Sequence, residues 1–357
     1  MIFGERGVGK TSFANTLKDI FSAEIPLVIK VNCDQGDNFS TMWHKATGEI
    51  EIVEDKELIG FRKRVNSVSR SLSENLTEKI VPDDIRRVLQ FIGESIIILD
   101  EYDRVNQSKA NRLMADTIKN LSDNAVNTTI LLVGVADTVD DLFAEHTSID
   151  RSLAEIEMPR MSSCELKEIV TKAHGKINAT IDDNAMGLVV LLSQGLPHYT
   201  HLLGQNATKA SIHNGRLNVT LDDVHSGIES SLTETKQTIR NIYQQAISSQ
   251  RSDTIFKEVL LACALAEVDE LGYFISASVR EPLSQIMGRQ YDIPGFSQHL
   301  NAFSEAGRGN ILEKKGTIRR FRFRFRNPLL QPYIIMRGLS DGLLAGELRK
   351  LLETKRR

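Results

Sequence analysis

The chain has 357 residues, 41% hydrophobic and 25% charged, with a formal net charge of −3 at pH 7. That length allows two or three domains with their own cores, and the composition is ordinary for a globular protein. No apolar run reaches the length of about eighteen residues that a transmembrane helix needs. Cys33, Cys164 and Cys263 are too few and too scattered for a disulfide framework or a zinc site, and the first residues lack a signal-peptide pattern. A cytoplasmic protein without membrane contact is expected.

Taken in chain order, the first informative stretch is Gly4-Glu5-Arg6-Gly7-Val8-Gly9-Lys10-Thr11, which fits G-x-x-x-x-G-K-[ST] at every specified position. The glycines let backbone N–H groups converge on phosphate. Lys10 reaches the β/γ-phosphates and the Thr11 hydroxyl ligates Mg²⁺. Gly4, Gly7, Val8, Gly9, Lys10, Thr11 and Ser12 are therefore the expected ATP-binding residues. A helix from Ser12, with apolar positions Phe13, Leu17, Ile20 and Phe21, aims its N-terminal dipole at the phosphates. Only Ile2 and Phe3 stand between Met1 and the loop, so either the first strand is abnormally short or an upstream segment is missing, and the missing segment is the favoured reading.

Residues 26–33 read as a strand, Lys56 to Arg70 as a helix, and Asp83 to Phe91 as another. Ser95-Ile96-Ile97-Ile98-Leu99 is an apolar run suited to a strand buried on both faces. It ends in Asp100-Glu101-Tyr102-Asp103, at the strand end where open α/β sheets bind ligands. Asp100 is the candidate for holding Mg²⁺ through water and Glu101 for polarising the attacking water; the alternative is a strand that merely stops in acidic residues. Asn111 to Leu121 then reads as a helix and residues 129–136 as a strand. The alternation predicts an α/β fold with a mostly parallel sheet.

A helix capped by Ser162 or Ser163 follows, then one opened by Asp182 and Asp183, and a third with Pro197 in its first turn. His198 and His201, three apart and without a third ligand, do not make a metal site. Thr254 to Glu267, Ser276 to Arg289 and Pro294 to Gly307 read as three further helices, the last with Gln298, His299 and Asn301 as its polar side chains. Residues 311–325 read as a hairpin turning at Lys314-Lys315-Gly316, whose second strand alternates Phe and Arg at period two. Three helices and a hairpin make a winged helix. Leu339 to Arg357 reads as a packing helix.

Charge is unevenly distributed. From residue 251 onward 18 Lys and Arg face 12 Asp and Glu, whereas the first 250 residues hold 26 against 35. Lys314, Lys315, Arg319, Arg320, Arg322 and Arg324 cluster in the hairpin. This patch is either a solvated basic hairpin or the surface for an anionic partner, with double-stranded DNA the preferred one through phosphate contacts of low sequence discrimination.

The ordered motifs resemble the AAA+ superfamily, in the branch of the origin-recognition ATPases and their bacterial relatives. Val31-Asn32-Cys33 resembles that branch's second-strand signature, Asp100-Glu101-Tyr102-Asp103 its Walker B, and Val133-Gly134-Val135-Ala136-Asp137-Thr138 its sensor 1 strand. The sensor 1 position holds Asp137 where Asn is usual; a carboxylate there is repelled by a γ-phosphate but can orient water. The resemblance makes Arg151, in Ser148-Ile149-Asp150-Arg151-Ser152-Leu153, the candidate arginine finger, with Arg160 in reserve; a surface or packing arginine is the other reading. Gly195-Leu196-Pro197-His198-Tyr199 resembles both the sensor 2 region and the Gly-Leu-Pro element of STAND signalling NTPases. His198 replaces the sensor 2 arginine, which implies slow or regulated ATP hydrolysis.

The resemblance implies a P-loop NTPase domain over residues 1–160, a helical lid over 161–245, a winged helix over 246–336 and a C-terminal helix over 337–357. The implied function is an ATP-hydrolysing switch, with Pro197 and His198 adding lid contacts to the nucleotide, coupled to DNA through the winged helix. The alternative is a STAND-like signalling or defence ATPase that oligomerises with ATP and acts on a protein partner.

Overall fold

The computed structural model describes residues 1–57, 65–105, 108–135, 151–248, 254–269, 271–317 and 320–344. Two compact units emerge, one from Met1–Glu5 with Gly9–Pro159, the other from Arg6–Val8 with the chain from Arg160 onward.

In the first unit β1 (Ile2–Phe3) leads through the glycine-rich loop into α1 (Lys10–Phe21). Then come β2 (Leu27–Asn32), α2 (Phe39–Gly48), β3 (Glu51–Glu57), β4 (Val65–Ser71), α3 (Pro82–Ile92), β5 (Ser95–Asp100), α4 (Ser108–Asp123), β6 (Thr128–Leu132) and β7 (Ile156–Glu157). β5 lies between β2 and β6, parallel to both, with Asn32 opposite Asp100 and Leu99 opposite Leu132. β1 pairs in parallel with β7 and bridges Val133 through Ile2, which lines the described strands up as β2-β5-β6-β1-β7. Short as it is, β1 is central and Ile2 is fully buried.

Alternation along β5 splits the core. Ile96 and Ile98 pack with Ile2, Ala14 and Val133, with Leu17 and Phe21 of α1 against them. Ile97 and Leu99 point to the other face, where Met42 and Trp43 of α2, Ile85 and Leu89 of α3 and Met114 of α4 gather. An all-apolar strand is required because both faces are covered.

Where it is described, the stretch Lys56 to Arg70 is strand and not the helix expected. Glu51–Glu57 and Val65–Ser71 pair as antiparallel strands, from Glu51 opposite Ser71 to Glu57 opposite Val65. Val65, Ser67, Ser69 and Ser71 alternate with polar and apolar neighbours at period two, and serine side chains compete with helical backbone bonds.

The second unit begins with α5 (Ser163–Gly175), whose N-terminus carries a capping box of Ser162 and Glu165. α6 (Asp183–Ser193), α7 (Pro197–His213), α8 (Leu221–Glu234) and α9 (Gln237–Ile247) follow, with β8 (Thr180–Ile181) and β9 (Asn218–Val219) pairing in parallel between them. Next come α10 (Phe256–Leu265), β10 (Phe274–Ile275), α11 (Ser276–Met287), α12 (Ile293–Phe303), β11 (Leu312–Lys315), β12 (Arg322–Phe325) and α13 (Leu330–Ser340). β12 pairs antiparallel with both β10 and β11. Within this unit the helices up to 247 and the later segment hold each other directly: the Tyr199 hydroxyl donates to Leu329 O at 2.7 Å and Gln245 Nε2 to Ala306 O at 3.2 Å.

Two expectations for the C-terminal part change. The hairpin does not turn at Lys314-Lys315-Gly316, because Lys315 still pairs with Arg322 and the connection begins at Gly316. Gly316 has φ +104°, and a Cβ there would sit 2.4 Å from Arg320 O, so the wider turn needs glycine at this point. The last described helix, α13, starts at Leu330 and ends at Ser340; residues 341–344 form turns and 345–357 lie outside the described residues. Among the described residues no helix is long and apolar enough to cross a membrane.

Candidate functional site

The first unit brings Gly4, Glu5 and Gly9 of the loop, the start of α1 and the end of β5 together. Gly9 is the N-cap of α1. Lys10 is buried, and its ammonium donates to Gly4 O at 2.8 Å and Glu5 O at 2.7 Å, which holds the charge inside the loop. Gly4 has φ +148°, and a Cβ would lie 2.4 Å from Met158 O, so only glycine lets β1 leave the sheet this close to the chain after β7.

The Thr11 hydroxyl lies 3.4 Å from Asp100 Oδ1, which also accepts the Glu101 N–H at 2.9 Å. The Lys30 ammonium stands 2.9 Å from Asp100 Oδ2; the two side chains are 10% and 2% exposed. Sequence reasoning missed Lys30, because its position beside Asp100 depends on the register of β2 against β5. Glu101 follows the strand in a left-handed conformation, φ 56° and ψ 35°, and pairs with Arg104 at 3.1 Å. Its carboxylate is 40% exposed and therefore reachable by water. Asp103 Oδ1 accepts the Val135 N–H at 2.8 Å and so ties the acidic turn to the end of β6.

Thr11 and Asp100 supply hard oxygen donors on one side of the loop, a set that fits Mg²⁺, which takes one or two protein oxygens and fills its shell with phosphate and water. Cys33, next to the site in sequence, is buried, and burial followed by the charge of Asp37 pushes its thiol up to about 12, so it is inert. The loop after β2 is held by Lys45, whose ammonium lies 2.6 Å from Asp37 and 2.8 Å from Asp34. Burial alone would raise the Asp37 carboxyl, but the hydrogen bonds from Lys45 and the Asp34 N–H outweigh it and hold it below its usual value.

The remaining candidates are spread more widely. Asp137 lies outside the described residues, and Arg151 is solvent-exposed. Arg160 is only half-exposed; its guanidinium donates to Gln194 O at 3.1 Å and Gln331 Oε1 at 2.7 Å, so within the second unit it acts as a packing residue. Pro197 is buried in the first turn of α7, while His198 keeps an exposed edge. Partial burial, then the neighbouring charges of Lys236 and His201, push the His198 ring below its usual value, leaving it neutral at pH 7.

In the C-terminal hairpin, Arg322 pairs with Asp269 at 3.1 Å and Arg324 with Glu313 at 2.7 Å. Both guanidinium groups also lie over the Tyr273 ring, at 5.0 Å and 4.5 Å from its centre. Lys314 donates to Asn301 at 2.7 Å and covers the Phe321 ring, and Lys315 lies 3.5 Å from Glu313. Arg320 is exposed, and Arg319 lies outside the described residues. His299, one of the polar side chains of α12, is buried against Phe256, with ring centres 4.6 Å apart, and burial lowers its pKa.

Comparison with known proteins bears on the family and the fold. Residues 1–143 match the family model described as an AAA domain. That stretch is an AAA domain, of the P-loop ATPase class, which bears out the AAA+ resemblance carried by the motifs. No curated protein sequence matches the chain. Among solved structures, the Walker-type ATPase of Pyrococcus abyssi is similar at TM-score 0.52 and 15% identity, over 93% of this chain and 89% of that one. The likeness shows a shared fold. The ORC2 protein of Aeropyrum pernix, in ADPNP and ADP complexes, gives TM-score 0.48 and 14% identity, over 100% of this chain and 88% of that one. The ORC1 protein of the same organism, in complex with DNA, gives 0.47 and 13%, over 96% and 87%. These last two likenesses are too slight to carry an argument about this chain.

Proposed function

We propose that the chain is an ATP-driven switch of the origin-recognition-like kind, which binds ATP with Mg²⁺, hydrolyses it slowly and couples nucleotide state to double-stranded DNA. The observation that carries this reading is the convergence of Lys10, Thr11, Asp100 and Glu101 at the ends of β5 and the loop. The loop N–H groups and the α1 N-terminus receive the phosphates, and Lys10 supplies fixed positive charge. Thr11 and Asp100 would hold Mg²⁺, which neutralises charge on the phosphate oxygens. Glu101 accepts a proton from the attacking water. A neutral His198 adds no fixed charge, which supports slow turnover, and an exposed Arg151 suits a finger given to a neighbouring copy.

For output, α10, α11, α12 and the three-stranded sheet β10-β12-β11 support a winged helix. Arg320, Lys315 and Arg322 are among its exposed cations and would meet phosphates without reading sequence. One observation favours the STAND-like alternative: Arg322 and Arg324 are already paired with Asp269 and Glu313, which weakens the patch as an anion surface.

Nucleotide binding measured by calorimetry should fall by about a hundredfold in Lys10→Ala, from the loss of charge-assisted bonds. Glu101→Gln should keep ATP bound while turnover drops about a hundredfold; unchanged turnover refutes its role. DNA binding across a salt series, with Arg320 and Arg322 changed to Ala, separates the two outputs. Salt-sensitive binding that weakens in the variant supports DNA. No binding at low salt, with ATP-dependent oligomers instead, supports the alternative.

A further inference from the structure

We infer that Lys30 is a resident cation at the metal seat, which weakens the hold of Mg²⁺ on Asp100 and lets the site take nucleotide with little dependence on the metal. The inference deepens the ATP-binding reading above and rests on it.

The register of the sheet builds the arrangement. Asn32 lies opposite Asp100 and Lys30 opposite Ile98, so Lys30 and Asn32 share the face of β2 beside the acid. The Lys30 ammonium reaches Asp100 Oδ2 at 2.9 Å and Asn32 Oδ1 at 3.1 Å. Apart from that ammonium, Oδ2 has no hydrogen-bond partner among the described residues, while Oδ1 faces Thr11 and the Glu101 N–H. The acid that would hold the divalent ion thus already has a monovalent cation at contact distance, and the pair is shielded from solvent.

Two consequences follow from Coulomb's law at a partly desolvated site. A positive charge next to Asp100 repels an incoming Mg²⁺ and so lowers its affinity. The same charge offsets part of the phosphates' negative charge when the metal is scarce, so metal-free nucleotide binds better than it would beside an isolated carboxylate. Both effects reduce the ratio between nucleotide dissociation constants without and with Mg²⁺. A lysine that only pinned β2 to β5 would change melting temperature and leave the ratio alone.

The test uses the full chain and a fluorescent ATP analogue, titrated with excess Mg²⁺ and with excess EDTA. Lys30→Met should raise the EDTA-to-Mg²⁺ ratio of dissociation constants by about tenfold over the parent protein. Lys30→Arg, which keeps the charge, should hold the parent ratio. Lys30→Gln, neutral but able to hydrogen-bond Asp100, serves in place of Lys30→Met if that variant does not fold. A neutral variant whose ratio stays within about twofold of the parent overturns the role of Lys30, whatever its stability. Nucleotide that fails to bind in either condition overturns the ATP-binding reading and this inference together.

Discussion

Two ion pairs with nearly the same geometry sit in different surroundings. Lys30 and Asp100 are 2.9 Å apart with 10% and 2% of their side chains exposed. Arg322 and Asp269 are 3.1 Å apart with 47% and 40% exposed. At the nucleotide site a charge without its partner has nowhere to find water; at the hairpin it simply becomes a solvated side chain. Distance alone therefore says little about what a pair is worth.

The largest effect that would break this contrast is at the buried pair. Asp100→Ala leaves the Lys30 ammonium enclosed without its carboxylate and should cost about 3 kcal/mol of folding stability in urea titrations. The double change Lys30→Met with Asp100→Leu should recover most of the loss. A single change costing no more than an exposed pair, under about 1 kcal/mol, would erase the distinction.

A pair of mixed exposure sharpens it. Asp223 is 1% exposed and its partner Arg216 is 40% exposed, at 2.8 Å. Burial alone would raise the Asp223 carboxyl, but hydrogen bonds from Arg216, Thr220 and Asn214 outweigh it and hold it at about 2. The folded value lies below the unfolded value of about 4, so the contribution is fully present above pH 4 and is lost as pH falls from 4 to 2. Denaturation at pH 5 and pH 2.5 should differ by about 2 kcal/mol from this group, and Arg216→Ala should reduce the difference.

The smallest effects lie in the hairpin. Arg324, whose side chain is 16% exposed, packs over Tyr273 and pairs with Glu313, so Arg324→Ala should lower stability by about 1 kcal/mol. Arg322→Ala should cost under about 0.5 kcal/mol. Thermal melts of the two variants would show whether the arginines of one strand divide into a packing residue and a surface residue.

The reach of the sequence follows the same division. The loop at Gly4 to Thr11 and the acids after β5 were legible because each is a contiguous run whose chemistry dictates its spacing. Lys30 was not, since its meaning comes from a register between strands more than sixty residues apart in the chain. His299 could have been found: Phe296, Leu300 and Phe303 are buried at helical spacing, and His299 falls on their face. Arg324 could not, because Tyr273, the ring it covers, belongs to a different strand region. Lys56 to Arg70 misled because valine at helical intervals also fits a strand of alternating serines, and only pairing with Glu51–Glu57 decides between them.

Glu101 adopts a backbone conformation that glycine or asparagine tolerates far better than glutamate. The strain is of the order of 1–3 kcal/mol, carried continuously by every folded molecule. A chain tuned for stability alone would place glycine here, and Glu101→Gly should melt higher than the parent while losing turnover. If Glu101 is the base proposed above, durability and catalysis ask for different residues at this one position, and a screen for heat resistance would select against the group proposed to prime the water.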